Sequence, residues 1–396
     1  MIQRILTSYL KRDASFYPVV TLTGPRQSGK TTLARSVFPG HRYVSLEDPD
    51  ERAFALEDPR GFLTRFTGPV ILDEAQRVPD LFSYIQGLAD EDDTSGRFIL
   101  TGSQNFLLMS GVSQSLAGRS AVLHLLPFSR AELEGHSLAS PDDPGALFVN
   151  SESSLDLWAT LHSGFYPRIH DRGIPIDVWM PDYVQTYVER DVRSLVNIGD
   201  LTTFEQFLRL CAGRIGQLLN YSSLASDCGV SVDTARRWLS VLETSFILFR
   251  LPPHFRNFSK RLVKSPKIYF HDTGLACYLL GIREPGMLPT HPLRGALFEN
   301  YVMAEVAKAF VHHRQQRDMF FWRDRSGREI DLLLSRGESL YPFEIKSGQT
   351  VAGDAFEALS GWSELAGQPV EQATLVYGGD QSYVRNGVNV RPWFGL

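Results

Sequence analysis

The sequence predicts an α/β protein: a parallel sheet first, then a helical region, then a second α/β domain at the C-terminus. Three observations predict it. Short apolar runs alternate with helical patterns from Tyr17 to about His136, as in a parallel sheet covered on both faces. From Leu201 to Phe246 the apolar spacing turns helical. From Met319 onward strand-period runs return around a hairpin turn. The chain has 396 residues, enough for two or three domains with sizeable cores. We expect divisions at 1–136, 137–200, 201–285 and 286–396.

Composition narrows the function classes. Net charge is −5, so nothing global favours nucleic acid, and any such contact must come from a local basic patch. The three cysteines, Cys211, Cys228 and Cys277, lack metal-like spacing and suit a reducing cytoplasm. Residues Met1 to Leu10 form a short amphipathic pattern rather than a signal peptide, and no apolar run is long enough to span a membrane. A cytoplasmic protein without a membrane partner is expected. There are no heptads, repeats or low-complexity tracts.

The first strand carries the strongest motif. Val19-Val20-Thr21-Leu22-Thr23 runs into Gly24-Pro25-Arg26-Gln27-Ser28-Gly29-Lys30-Thr31-Thr32, and a helical pattern follows. This is the spacing of a phosphate-binding loop, and strand-to-helix is the context that supports it. Glycines let backbone N–H groups turn toward an anion, and the helix points its positive end the same way. Lys30 is expected to reach the β- and γ-phosphates of ATP, and the Thr31 hydroxyl to ligate Mg²⁺. The sheet is therefore expected to be that of a P-loop NTPase.

Pro69-Val70-Ile71-Leu72-Asp73-Glu74 is a second apolar strand with two acids at its C-terminal end, where parallel sheets bind ligands. Asp73 is the candidate Mg²⁺ ligand and Glu74 the candidate general base for water. An acid directly after the magnesium aspartate favours hydrolysis over transfer to a small-molecule acceptor. A third strand, Arg97 to Gln104, ends in small polar residues; in many ATPases it lies between the other two. Ser103, with Gln104 next, is the candidate γ-phosphate sensor, against simple turn chemistry. Asp90 to Asp93 reads as a solvated acidic loop. Ser115-Leu116-Ala117-Gly118-Arg119 supplies a candidate arginine, Arg119, for transition-state charge. It would act in cis or from a neighbouring copy, against a surface salt bridge.

Residues 137–154 are rich in Ser, Pro, Asp and Gly and read as a linker. Aromatic residues between Phe165 and Tyr187 read as core, and Arg190-Asp191 as an ion pair. Three helical patterns then surround the turn Gly229-Val230-Ser231, with Ser231 as a cap, and two strands follow up to Phe270. This order is a winged-helix arrangement. Arg236 and Arg237 lie on its third helix, and Arg256, Lys260, Arg261 and Lys264 in its wing. DNA or RNA contact and packing as a rigid lid are both open readings. Asp272, or Thr273, reads as a helix cap.

At the C-terminus, Glu299 lies on a helix and Asp331 on a strand. Glu344 and Lys346 share one face of the next strand, because the strand period is two. This order resembles the PD-(D/E)xK nuclease superfamily. That resemblance implies carboxylates holding Mg²⁺ and a lysine polarising water or phosphate. A relic fold used only for contact is the alternative.

Gly24 to Thr32, Ile71 to Gln76, Leu100 to Ser103, Ser115 to Arg119, Tyr269 to Leu275 and Glu344 to Gly348 together resemble the prokaryotic AAA-type ATPases that carry a C-terminal domain of unknown function 4143. The likeness covers nearly the whole chain. It implies an ATP-binding, ATP-hydrolysing N-terminal domain, a winged-helix element and a nuclease-like C-terminal fold. An arginine acting in trans would require a homo-oligomer. Ser163-Gly164-Phe165-Tyr166-Pro167 departs from the family's pattern.

Overall fold

In the computed structural model, which describes residues 2–103, 108–109, 112, 114–149, 152–187, 201–254, 264–324 and 326–396, the chain folds as two units. The first is Met1–Phe128 with Thr244–Phe246 and Val311–Arg314; the second is the remainder.

Five parallel strands form the first unit's sheet: β1 (Val19–Thr23), β2 (Arg42–Ser45), β3 (Val70–Asp73), β4 (Phe98–Gly102) and β5 (Ser120–His124). Their order is β2-β3-β4-β1-β5, so β4 lies between β1 and β3. Every residue of β1, β3 and β4 is buried. Side chains alternate along each strand to fill two cores. Val19, Leu72, Phe98 and Leu100 pack on one face with Phe62 and Phe82. Val20, Leu22, Ile71 and Ile99 pack on the other with Leu6 and Leu10.

The first helix, α1 (Leu6–Ala14), starts later than the sequence pattern suggests, because Leu6, Leu10 and Ala14 form its buried stripe. A second helix, α2 (Lys30–Val37), follows the glycine loop. The helix Leu81–Glu91 takes up Asp90 and Glu91, so the expected acidic loop is half helical.

The second unit begins at Ser129, which caps the short helix Arg130–Glu134 with a capping box. That helix belongs here because the Arg130 amide donates to Glu305 Oε2 at 2.8 Å, and the buried Arg130 guanidinium pairs with Glu134. The stretch expected to be a linker is packed instead. Leu138, Leu147 and Phe148 are buried, Phe148 meets Phe343, and Arg336 Nε donates to the Pro141 carbonyl at 2.8 Å. Its apolar residues outweigh its polar average.

Tyr166, Trp179 and Tyr183 stack into core, with the two tyrosine hydroxyls 2.7 Å apart. Asp272 caps the helix Thr273–Leu279 by accepting from the Leu275 amide at 2.8 Å. It also accepts from the Phe165 amide at 2.7 Å. Gly164 makes that clamp possible: its φ is +65°, and a Cβ there would meet Asp272 Oδ1 at 2.5 Å. The segment Ser163 to Pro167 is thereby tied to Asp272.

Helices Leu201–Ala212, Tyr221–Cys228 and Val232–Thr244 precede an antiparallel pair, β6 (Leu248–Leu251) and β7 (Lys267–Phe270). Ser231 Oγ accepts from the Thr234 amide at 3.1 Å, and Trp238 packs edge-on against Phe204 and Phe207. The last sheet comprises β8 (Met319–Arg323), β9 (Glu329–Arg336), β10 (Ser339–Lys346), β11 (Thr374–Tyr377), β12 (Tyr383–Arg385) and β13 (Val388–Pro392). Its order is β12-β13-β11-β10-β9-β8, with β10–β11 and β11–β13 parallel and the other pairs antiparallel. The helices Arg294–His312 and Gly353–Ala366 accompany it. Among the described residues, no helix is long and apolar enough to cross a membrane.

Candidate functional site

Because the first sheet is parallel, every loop that follows a strand emerges at one edge. Gly24 follows β1, Glu74 follows β3 and Ser103 follows β4, so the expected nucleotide residues gather there.

The loop after β1 is shaped for an anion. Gly24 has φ +150°, and a Cβ there would meet the Leu125 carbonyl oxygen at 2.1 Å, so only glycine fits. Gln27 and Gly29 are also left-handed, at φ 60° and 92°. Gly24, Pro25, Arg26, Gln27, Ser28 and Gly29 form the loop; Lys30, Thr31 and Thr32 open α2. Lys30 is buried, and its ammonium donates to the Gly24 and Pro25 carbonyls at 3.0 and 2.7 Å. The Ser28 hydroxyl is buried without a hydrogen-bond partner. An anion-seeking loop, a buried ammonium and an orphaned hydroxyl fit a triphosphate.

Asp73 is the hub of the edge. The Thr31 hydroxyl lies 3.1 Å from both Asp73 oxygens, and Tyr43 OH donates to Asp73 at 2.9 Å. Thr101 Oγ1 donates to it as well. Burial, then the charge of Asp73, pushes the Tyr43 hydroxyl up to about 12, so it stays a donor. A hydroxyl beside a carboxylate is the oxygen donor set that Mg²⁺ prefers.

Glu74 stands next in sequence with a left-handed backbone, φ 55°. Such a conformation costs roughly 1–3 kcal/mol in a non-glycine residue and persists only where neighbours enforce it. Here Ser103 Oγ donates to its carboxylate at 3.1 Å and Gln76 Nε2 at 2.5 Å. The expected sensor thus touches the expected base. Gln104 lies outside the described residues.

Arg119 is placed elsewhere. It precedes β5, at the N-terminal ends of the strands, and forms a two-point ion pair with Asp90. Five residues of β5 put about 16 Å between it and the loop edge. Because β5 runs parallel to β1, with Ser120 opposite Val19, the residue before β5 stands at the end of its own sheet away from the glycine loop, and there Arg119 takes the alternative reading of a surface salt bridge.

Sequence reasoning missed Arg4. This buried guanidinium donates to the Ser28 carbonyl at 3.1 Å and the Leu126 carbonyl at 2.6 Å, and lies 4.6 Å over the Phe128 ring. It braces the loop from behind and keeps a loop carbonyl turned away from the anion. Only an arginine ahead of a helix pattern marked it in sequence. Arg4→Ala is expected to raise the KM for ATP by about tenfold with a smaller loss of kcat, read by steady-state phosphate release. A fall in kcat at unchanged KM would remove this bracing role.

In the second unit, Glu299, Asp331, Glu344 and Lys346 come together. Asp331 Oδ2 accepts from the Ile345 amide at 2.9 Å, and Lys346 pairs with Glu344 at 2.5 Å. Burial, then the charge of Asp331, pushes Glu299 up to about 7 and Glu344 up to about 8. Two further residues enter that sequence reasoning missed: Tyr269 OH donates to Glu299 at 2.5 Å, and Lys267 pairs with Glu299 at 3.2 Å and with Glu329. As they stand, Lys267 and Lys346 already hold Glu299 and Glu344, so these residues do not fit a divalent ion unless an ammonium is displaced; one buried oxygen of Glu344, Oε2, has no hydrogen-bond partner. Among the described residues, no group of three or more His, Cys, Asp or Glu side chains is placed to hold a metal.

Of the basic residues expected to meet nucleic acid, Arg236, Arg237 and Lys264 are exposed. Arg236 pairs with Asp233 at 3.3 Å. Arg256, Lys260 and Arg261 lie outside the described residues, as do Arg190 and Asp191.

Comparison with known proteins adds the following. A family model described as an AAA domain matches residues 17–134. Domains of unknown function match residues 154–286 (DUF8612) and 294–394 (DUF4143). The uncharacterized proteins Rv2008c of Mycobacterium tuberculosis and Mb2031c of Mycobacterium bovis are each 34% identical over 351 residues, covering 88% of this chain and 74% of theirs. Among solved structures, the Walker-type ATPase PABY2304 of Pyrococcus abyssi aligns at TM-score 0.42 and 15% identity, over 70% of this chain and 96% of that one. The RuvB Holliday junction branch migration motor of Thermotoga maritima aligns at TM-score 0.29 and 22% identity, over 62% and 87%.

Proposed function

Since the chain belongs to the family of AAA-type P-loop proteins that carry the domain of unknown function DUF4143, we propose that it binds ATP with Mg²⁺ and hydrolyses it, and that its nucleotide state controls the second unit's action on nucleic acid. The observation that carries the reading is the Thr31–Asp73–Glu74–Ser103 chain of contacts at the edge where the glycine loop opens. Lys30 would release the Gly24 and Pro25 carbonyls and turn its charge to the phosphates. Thr31 and Asp73 would hold the magnesium ion, which supplies neutralisation of phosphate charge. Glu74, positioned by Ser103 and Gln76, would orient water and accept its proton. Arg119 would serve a second copy's site, leaving Asp90 to do so, which makes a homo-oligomer part of the reading.

Support for nucleic acid comes from Arg236 and Arg237, exposed on a helix that a buried Trp238 anchors, and from Lys264 beside the antiparallel pair. A winged-helix reading of this region and nuclease chemistry at Glu299, Asp331, Glu344 and Lys346 belong to the same proposal. A second reading, a nucleotide-dependent switch that recruits a protein partner, is favoured by the lysines that already pair with the C-terminal acids. Duplex and single-stranded DNA and RNA should separate them. Under the first reading, nucleic acid raises ATP turnover several-fold, and only with ATP bound do Mg²⁺ or Mn²⁺ support cleavage, which Asp331→Ala abolishes. ATP turnover indifferent to every nucleic acid, with no cleavage, selects the switch.

A further inference from the structure

The C-terminal acid cluster contains its own cations. Lys267, on β7, has a side chain only 3% exposed. Its ammonium pairs with Glu299 Oε1 at 3.2 Å and with Glu329 Oε1, and lies 5.5 Å from the centre of the Phe321 ring. Arg323 takes the other oxygen of Glu329 at 3.1 Å. Lys346 takes Glu344 at 2.5 Å, and Asp331 is bound by the Ile345 amide. Tyr269 OH donates to the same Glu299 oxygen, Oε1, that Lys267 holds. Four carboxyls from three elements thus face three cationic side chains from three strands.

We propose that the Lys267 ammonium is the resident cation of this cluster, supplying to Glu299 and Glu329, beside Asp331, the counter-charge that a divalent ion would otherwise bring, and holding the module in a metal-free form. The mismatch between these residues and a metal site is then a built feature rather than a vacancy. A buried carboxylate needs a counter-charge or a proton, and the fold supplies the counter-charge covalently. Two carboxylates within ion-pairing distance of the buried amine favour its charged form. The proposal concerns nucleotide-free protein and stands or falls independently of ATP hydrolysis.

The test is Mn²⁺ binding to nucleotide-free, full-length protein, read by the paramagnetic signal of free Mn²⁺ and by thermal unfolding. Wild type, Lys267→Met and the double variant Lys267→Met/Asp331→Asn are compared. Lys267→Met should gain a Mn²⁺ site at least about tenfold tighter than any in wild type, and its unfolding midpoint should rise with Mn²⁺. Both gains should vanish in the double variant. If Lys267→Met folds poorly without metal, Mn²⁺ should restore its unfolding transition. The proposal is overturned if Lys267→Met gains no site, if Mn²⁺ fails to restore a poorly folded variant, or if wild type already binds Mn²⁺ through Asp331.

Discussion

Lys30→Ala should lose ATP turnover by at least ~10²–10³-fold while its circular dichroism and unfolding transition stay close to wild type. The large effect follows from position. Lys30 is buried at the head of α2, and its ammonium is held on the Gly24 and Pro25 carbonyls of the glycine loop. Alanine keeps the helix, because it is the best helix former, but leaves the loop without its mobile positive charge. Backbone N–H groups remain, so residual nucleotide affinity is expected, measurable by calorimetry. Phosphate release at the wild-type rate would refute this edge of the sheet as the reaction site.

Glu74→Gln should separate binding from chemistry. Glutamine can still accept the Ser103 hydrogen bond, so the loop geometry is expected to hold. It cannot take a proton from water at neutral pH. ATP affinity should change less than about threefold, while kcat falls by ~10²–10⁴-fold. Ser103→Ala should show a smaller loss in kcat, since it removes one of the two side chains that hold the carboxylate. Turnover unaltered in Glu74→Gln would place the base elsewhere, and a matching loss of ATP affinity would recast Glu74 as a binding residue.

The first sheet was legible because its signals are local. Val19 to Thr32 states strand, glycine turn and helix within fourteen consecutive residues, and Val70 to Glu74 states a buried strand with acids at its end. Of the C-terminal strands, β8, β9 and β10 were legible for the same reason; β11, β12 and β13 were not read from the sequence. The segment 137–154 was misread because composition averages over residues. Leu147 and Phe148 bury themselves whatever their neighbours are. No local signal marks that the helix Arg130–Glu134 packs with the second unit, because the contact that joins it is Glu305, far along the chain, accepting from the Arg130 amide.

What the sequence determined by itself is chemistry in register: a loop for phosphate, a threonine and an aspartate for an ion, an acid for water, and a later row of acids with a lysine. The nine residues of the glycine loop, the adjacent acids Asp73 and Glu74, and Glu344 two before Lys346 are short spacings, set by covalent geometry and by strand and helix periods. What only the tertiary structure decided is who stands beside whom. Arg4 behind Ser28, Tyr43 and Thr101 on Asp73, Arg119 at the far edge with Asp90, and Lys267 among Glu299 and Glu329 all join residues distant along the chain. Strand order and burial choose such partners, and a buried charge is stable only where packing brings it an opposite one.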